Sequence, residues 1–188
     1  GVVVNTCLPK TAWPPTFNIK SVGNSVTTPR DLTTEKDVKL MLYLLAESVC
    51  ARMRELASRC TVVELYVRDT ELCSIVRQRK LPVPSCSSQE LKEVGMSLFR
   101  RHYRWERPIR SIGLRGAGLV EAEGAVQMSL YADDQRRDAW ERIDAAVDRL
   151  RQRYGYMSIR RAIVDSDPLL GHINVKDHTI HPVSYFGG

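Results

Sequence analysis

Along this chain hydrophobic and polar positions alternate, then recur every three to four residues, then alternate again, and each change of period marks an element. Phe17 to Asn24 reads as a short strand ended by Gly23 and Asn24, and Thr27, Thr28, Pro29, Arg30 and Asp31 read as a polar loop. Thr34 stands where it can cap a helix, with Asp37 placed to reach back to it. Val38, Met41, Leu42, Leu45, Val49, Met53 and Leu56 then form one apolar stripe, which carries that helix to about Ser58. Thr61 to Arg68 alternates, with Val63, Leu65 and Val67 on one side. After a turn at Asp69-Thr70-Glu71, Leu72 to Leu81 forms the second arm of a hairpin, closed by Pro82 and Pro84. Ser87 and Glu90 have the spacing of a second capping box, ahead of a helix with the stripe Leu91, Val94, Leu98 and His102. In the strand Pro108 to Leu119, Ile112 and Leu114 share one side, and Ser111, Gly113 and Arg115 share the other. By the same parity Arg110 falls with Ile112 and Leu114.

This order predicts an α+β fold, a ferredoxin-like β-α-β-β-α-β sandwich with one four-stranded sheet and both helices on one face. The other face is left to water or to a partner. Residues 1–16, with Trp13-Pro14-Pro15, read as an extended linker or an appended remnant, 17–119 as the domain, and 120–133 as a small-residue linker. That linker carries an isolated apolar pentapeptide, Gln127 to Tyr131. Residues 134–188 hold a third helix, from about Asp134 to Tyr154, and a tail of little periodicity. The third helix has a narrow stripe, Trp140, Ile143, Val147, Leu150 and Tyr154, which predicts docking on this domain or on a partner.

Composition adds that the chain is of the soluble globular class, 43% hydrophobic and 27% charged over 188 residues. The longest apolar run, Leu40 to Ala46, is far below the roughly 20 residues a bilayer demands. The N-terminus has no basic segment leading a long apolar one, so no membrane partner and a cytoplasmic location are expected. Cys7, Cys50, Cys60, Cys73 and Cys86 form no Cys-x-x-Cys pair, which favours reduced thiols over zinc or a disulfide framework. The chain begins at Gly1 without an initiator methionine, consistent with a piece cut from a longer protein. The net charge of +6 is concentrated between Phe17 and Leu119, where 18 basic residues face 11 acidic ones, and such a block attracts polyanions.

Arg77 and Arg79 point to the same side of one strand, roughly 7 Å apart, close to the spacing of phosphates along a nucleic-acid strand. A basic strand also guards a sheet edge against pairing with other chains, and both readings stand. Lys20, Ser21, Thr27 and Thr28 offer an ammonium, hydroxyls and backbone amides, groups that position phosphates without reading sequence. Gly113 leaves room for the close approach of another backbone. Two-metal phosphoryl transfer needs gathered carboxylates. Asp133-Asp134 read as solvated, and His172, His178 and His181 as surface, so no catalytic residue, metal or cofactor is assigned to this chain.

Three motifs, Lys20-Ser21-Val22-Gly23 through Thr27, Arg77 to Pro82 and Ile109 to Arg115, resemble in their order the little-finger domain of Y-family translesion DNA polymerases. Gln127-Met128-Ser129-Leu130-Tyr131 resembles the Gln-Leu-x-Leu-Phe peptide by which bacterial members hold the sliding clamp, with Met128 for Leu and Tyr131 for Phe. The helix into Tyr154-Gly155, followed by Ile159-Arg160-Arg161-Ala162, is similar to the C-terminal extension of the UmuC-like branch. The resemblance implies a sheet laid across template-primer DNA, with Lys20, Thr27, Arg77, Arg79, Arg110 and Arg115 on phosphates. Ser111 stands where some relatives have a second cation. It also implies Gln127, Met128, Leu130 and Tyr131 on the clamp, and an Mg²⁺-dependent palm outside this chain, in a parent that serves SOS lesion bypass. The expected function is sequence-nonspecific DNA binding without polymerase activity of its own. The alternative is a stand-alone protein-interaction adaptor whose basic face is incidental.

Overall fold

The computed structural model describes residues 19–122 and 133–173. Its first six elements are β1 (Ser21–Leu32), α1 (Glu35–Glu55), β2 (Ser58–Asp69), β3 (Ser74–Ser85), α2 (Ser88–His102) and β4 (Ile109–Glu121). They build one antiparallel sheet in the order β1-β4-β2-β3. Each helix links two parallel strands with one strand between them, the split β-α-β arrangement of the expected ferredoxin-like fold.

β1 is longer than its sequence pattern suggests, and the segment read as a loop from Thr27 to Asp31 belongs to it. Its inward positions are Val22, Asn24, Val26 and Thr28, two of them polar, which hides the alternation. Both polar groups are satisfied: the Asn24 amide donates to Ser48 Oγ at 3.2 Å and the Thr28 hydroxyl to the Arg110 carbonyl at 3.1 Å. β3 likewise runs past Pro82 and Pro84 to Ser85, which an edge strand tolerates because one row of its N–H groups has no partner strand to serve.

The Thr34–Asp37 capping box forms, with Asp37 N–H donating to Thr34 Oγ1 at 3.2 Å and Thr34 N–H to Asp37 Oδ2 at 3.1 Å. Leu56 is not on the buried stripe: it is the C-cap of α1 and is exposed. The Ser87–Glu90 box does not form. Among the described residues the buried Ser87 hydroxyl has no hydrogen-bond partner, and Glu90 turns to Arg137. α2 buries Leu91, Gly95, Met96, Leu98 and Phe99 against α1 and the sheet, while His102 is exposed.

α3 (Asp133–Tyr154) docks on this domain, but with its charged side. Arg137, Glu141, Asp144, Asp148 and Arg151 recur at alternating steps of four and three and face the body. Arg137 pairs with Glu90 at 3.1 Å, Glu141 with Arg59 at 2.7 Å, Asp148 with Arg54 at 2.7 Å and Arg151 with Glu47 at 2.9 Å. Asp144, 4% exposed, accepts from the Ser88 N–H and hydroxyl, each at 2.8 Å, and so caps α2 from another element. The tail also has structure. A short 3-10 turn, Ala162–Ser166, and α4 (Pro168–Gly171) bury Val164 and Leu170 in the core, and Arg161 joins Glu47 and Asp144. No helix among the described residues is long and apolar enough to cross a membrane.

Candidate nucleic-acid interface

Cross-strand register assigns every side chain of the sheet to a face. Val63 and Leu65 on β2 are buried against the helices, and their β4 partners Gly116 and Leu114 lie on that side. The alternate positions form the open face: Glu64, Tyr66 and Arg68 on β2, Ser111, Gly113 and Arg115 on β4, and Ser21, Gly23, Ser25 and Thr27 on β1. β3 adds Ser74, Val76, Gln78 and Lys80, the partners of Arg68, Tyr66, Glu64 and Val62.

Arg115 is the central cation. Its stem lies across Gly23, where a Cβ would come within 3.0 Å of Arg115 Cγ, so glycine is what lets the side chain lie flat. Its guanidinium donates to Ser21 Oγ at 2.7 and 3.0 Å and stands 3.6 Å from Glu64, yet the side chain remains 52% exposed. Gly113 answers a different demand from the one its sequence suggests: a Cβ there would meet Ser25 Cβ at 2.8 Å, so the backbone approaching it is β1 of the same sheet. Tyr66, Val76, Gly23, Gly113 and Arg115 line a shallow trough of about 420 Å³ on this face.

The candidate phosphate contacts fall into groups. Ser21 and Arg115 are joined directly, and Thr27 Oγ1 shares a hydrogen bond of 2.9 Å with Ser111 Oγ. Lys20 is exposed at the start of β1. Arg110 is the extra residue of a β-bulge, because Arg68 pairs with Ser111 and Asp69 with Ile109. The bulge resets the parity, so Ile109 and Ile112 both reach the core while Arg110 is exposed and pairs with Asp31 at 3.3 Å. Arg77 and Arg79 are not brought together with Arg115. They pair with Leu65 and Val63 and therefore lie on the helix side of the edge strand, exposed at its rim. Gln127, Met128, Leu130 and Tyr131 lie outside the described residues, as do His178 and His181.

Sequence reasoning missed Arg68, Lys80 and Glu64. The alternation that put Val63, Leu65 and Val67 inward already placed Glu64 and Arg68 outward, and pairing the hairpin would have added Lys80. Among the described residues neither Arg68 nor Lys80 stands in an ion pair, and Glu64 is the face's carboxylate.

The model of the impB/mucB/samB family C-terminal domain matches residues 19–130. The chain is 38% identical over 155 residues to DNA polymerase IV of Acetivibrio thermocellus, covering 82% of this chain and 39% of that protein. It is 32% identical over 145 residues to DNA polymerase IV of Pelotomaculum thermopropionicum, covering 77% and 35%. The chain thus spans less than two fifths of the length of these relatives. Among solved structures, the post-insertion binary complex of Dbh DNA polymerase aligns with a TM-score of 0.47 at 14% identity, over 54% of this chain and 29% of that one.

Proposed function

The chain belongs to the impB/mucB/samB C-terminal domain family as a Y-family little-finger domain, and from that premise we propose that its open sheet face binds the backbone of primer-template DNA without reading sequence. The observation that carries this reading is the Arg115 arrangement: a side chain whose stem lies over Gly23 and whose guanidinium is steadied by Ser21, on a face that no helix among the described residues covers. Arg68 and Lys80 add cations to that face, Lys20 is exposed just ahead of β1, and Ser21 and Thr27 add hydroxyls, a set suited to phosphate oxygens. Arg110 would act from the bulge, and Arg77 and Arg79 from the rim of β3.

Residues 127–131 would tether the module to a sliding clamp. Polymerisation, and service in lesion bypass, would belong to a longer parent. Among the described residues no three His, Cys, Asp or Glu side chains gather as a cation site, and no catalytic step is assigned to them.

Fluorescence anisotropy with primer-template duplexes of unrelated sequence tests the reading. Equal affinities across sequences are expected, and a strong sequence preference, or no binding at low salt, would refute it. Alanine at Gln127, Leu130 and Tyr131 should abolish capture by a sliding clamp while sparing DNA affinity. Retained capture would refute the tether.

A further inference from the structure

On α3 the charges are sorted. The carboxylates of Glu141, Asp144 and Asp148 turn into the body, while Arg136, Arg142, Arg149 and Arg153 are exposed. Among the described residues none of these four arginines meets a carboxylate. Arg136 lies over the Trp140 ring, Arg153 over Tyr154, and Arg142 donates to the Asp138 carbonyl. Beside them runs the apolar stripe that the sequence led one to expect against this domain or a partner. Ile143 is 54% exposed, Leu150 41% and Tyr154 61%, with Trp140 and Val147 half-buried. Its alternating steps of three and four are those of a coiled-coil seam, about 21 Å long at 1.5 Å per residue.

We propose that this surface docks an acidic amphipathic helix of a protein partner. An apolar row two heptads long, flanked by unpaired arginines, matches a helix with aliphatic residues on its own seam and glutamates beside it. A second copy of the chain is disfavoured because it would set arginine against arginine, with Asp138 the exposed carboxylate available to answer them. A phosphate backbone would leave the aliphatic row in water. A lipid surface needs a face that sinks several ångströms, and here Trp140 and Val147 are already half-buried. α3 lies against α1 and α2, on the far side of the sheet from Arg115, so the two surfaces can be occupied together.

The test uses the full 188-residue chain and a labelled, designed helical peptide with Leu and Ile at the seam and Glu at the flanking positions. A matched peptide carrying Lys instead of Glu is the control. The acidic peptide should bind at least tenfold more tightly than the lysine peptide. Both the double variant Ile143→Ser/Leu150→Ser and the triple variant Arg142→Glu/Arg149→Glu/Arg153→Glu should weaken it at least tenfold with unchanged helix content. No binding of the acidic peptide, or equal binding of both peptides, would overturn the proposal. So would variants that leave peptide binding intact but remove binding to duplex DNA or anionic vesicles, or remove a concentration-dependent dimer. These surface substitutions leave the sheet face untouched, so an intact DNA affinity separates failure here from failure of the DNA-binding reading.

Discussion

Asp144 accepts the backbone N–H of Ser88 at 2.8 Å, so the first turn of α2 is capped by a side chain that arrives 56 residues later in the chain. The same carboxylate holds the Ser88 hydroxyl and pairs with Arg161 at 3.2 Å and Arg54 at 3.6 Å. The cap is therefore also the joint that fastens α3 and the tail to the β-α-β-β-α-β body.

Asp144→Ala should cost about 1–3 kcal/mol, because it leaves the Ser88 N–H without its cap and takes one of two carboxylates from both Arg54 and Arg161. Urea unfolding would show a lower midpoint with an unchanged m-value. A loss below about 1 kcal/mol would mean that the joint is not structural.

The register of the sheet separates cations that their sequence pattern groups. Arg68→Ala and Lys80→Ala, on the open face, should each weaken duplex binding more than Arg77→Ala or Arg79→Ala on the rim. The reverse order in an anisotropy titration would place the DNA at the helix side of β3.

Glu64 opposes the proposed ligand while it neutralises Arg115. Glu64→Gln should tighten duplex binding roughly threefold at low salt, the size of a Coulomb term of about 0.6 kcal/mol between unit charges about 7 Å apart in water. The gain should fade above 0.1 M salt as screening sets in. Unchanged or weaker binding would show that Glu64 serves to position Arg115 for its contact.

Arg30 bridges Asp37 at 2.8 Å and Asp167 at 2.5 Å, linking the start of α1 to the N-cap of α4. Burial would raise the Asp37 carboxyl, but hydrogen bonds from Arg30 and Thr34 hold it below its ordinary value. Asp167 is held down chiefly by its hydrogen bond from Arg30. Carboxyls depressed in the folded state add stability that is present above their unfolded values near 4 and is lost as pH falls through their folded ones. Melting temperature should therefore drop on acidification below about pH 4. Asp167→Asn should flatten that drop; an unaltered acid profile would remove this linkage.

The parts legible in the sequence are those where one face is plainly apolar. Val63, Leu65 and Val67 announced β2, and Val38 to Met53 announced α1. Two kinds of information were out of reach. One is a bulge: parity counted through Arg110 puts it with Ile112, and an inserted residue reverses that without any mark in composition. The other is a buried polar group, because Asn24, Thr28 and Asp144 look like surface until their partners are known. α3 adds to the second lesson, since its apolar stripe left open whether it faces this domain or a partner, and the charged row that docks on the domain had no apolar pattern to mark it. For the candidate face, Ser21 and Arg115 were named from the sequence, Glu64 and Arg68 were legible in the alternation of β2, and Lys80 needed the hairpin register.

The most direct test of the DNA-facing sheet is the salt dependence of primer-template affinity for the native chain and for Arg115→Ala. Counterion release predicts a linear fall of log K with log salt for the native chain. The Arg115→Ala slope should be shallower by about one, with binding weakened to a similar degree across duplex sequences. A native affinity indifferent to salt, or an Arg115→Ala slope identical to that of the native chain, would contradict the assignment of this face to DNA.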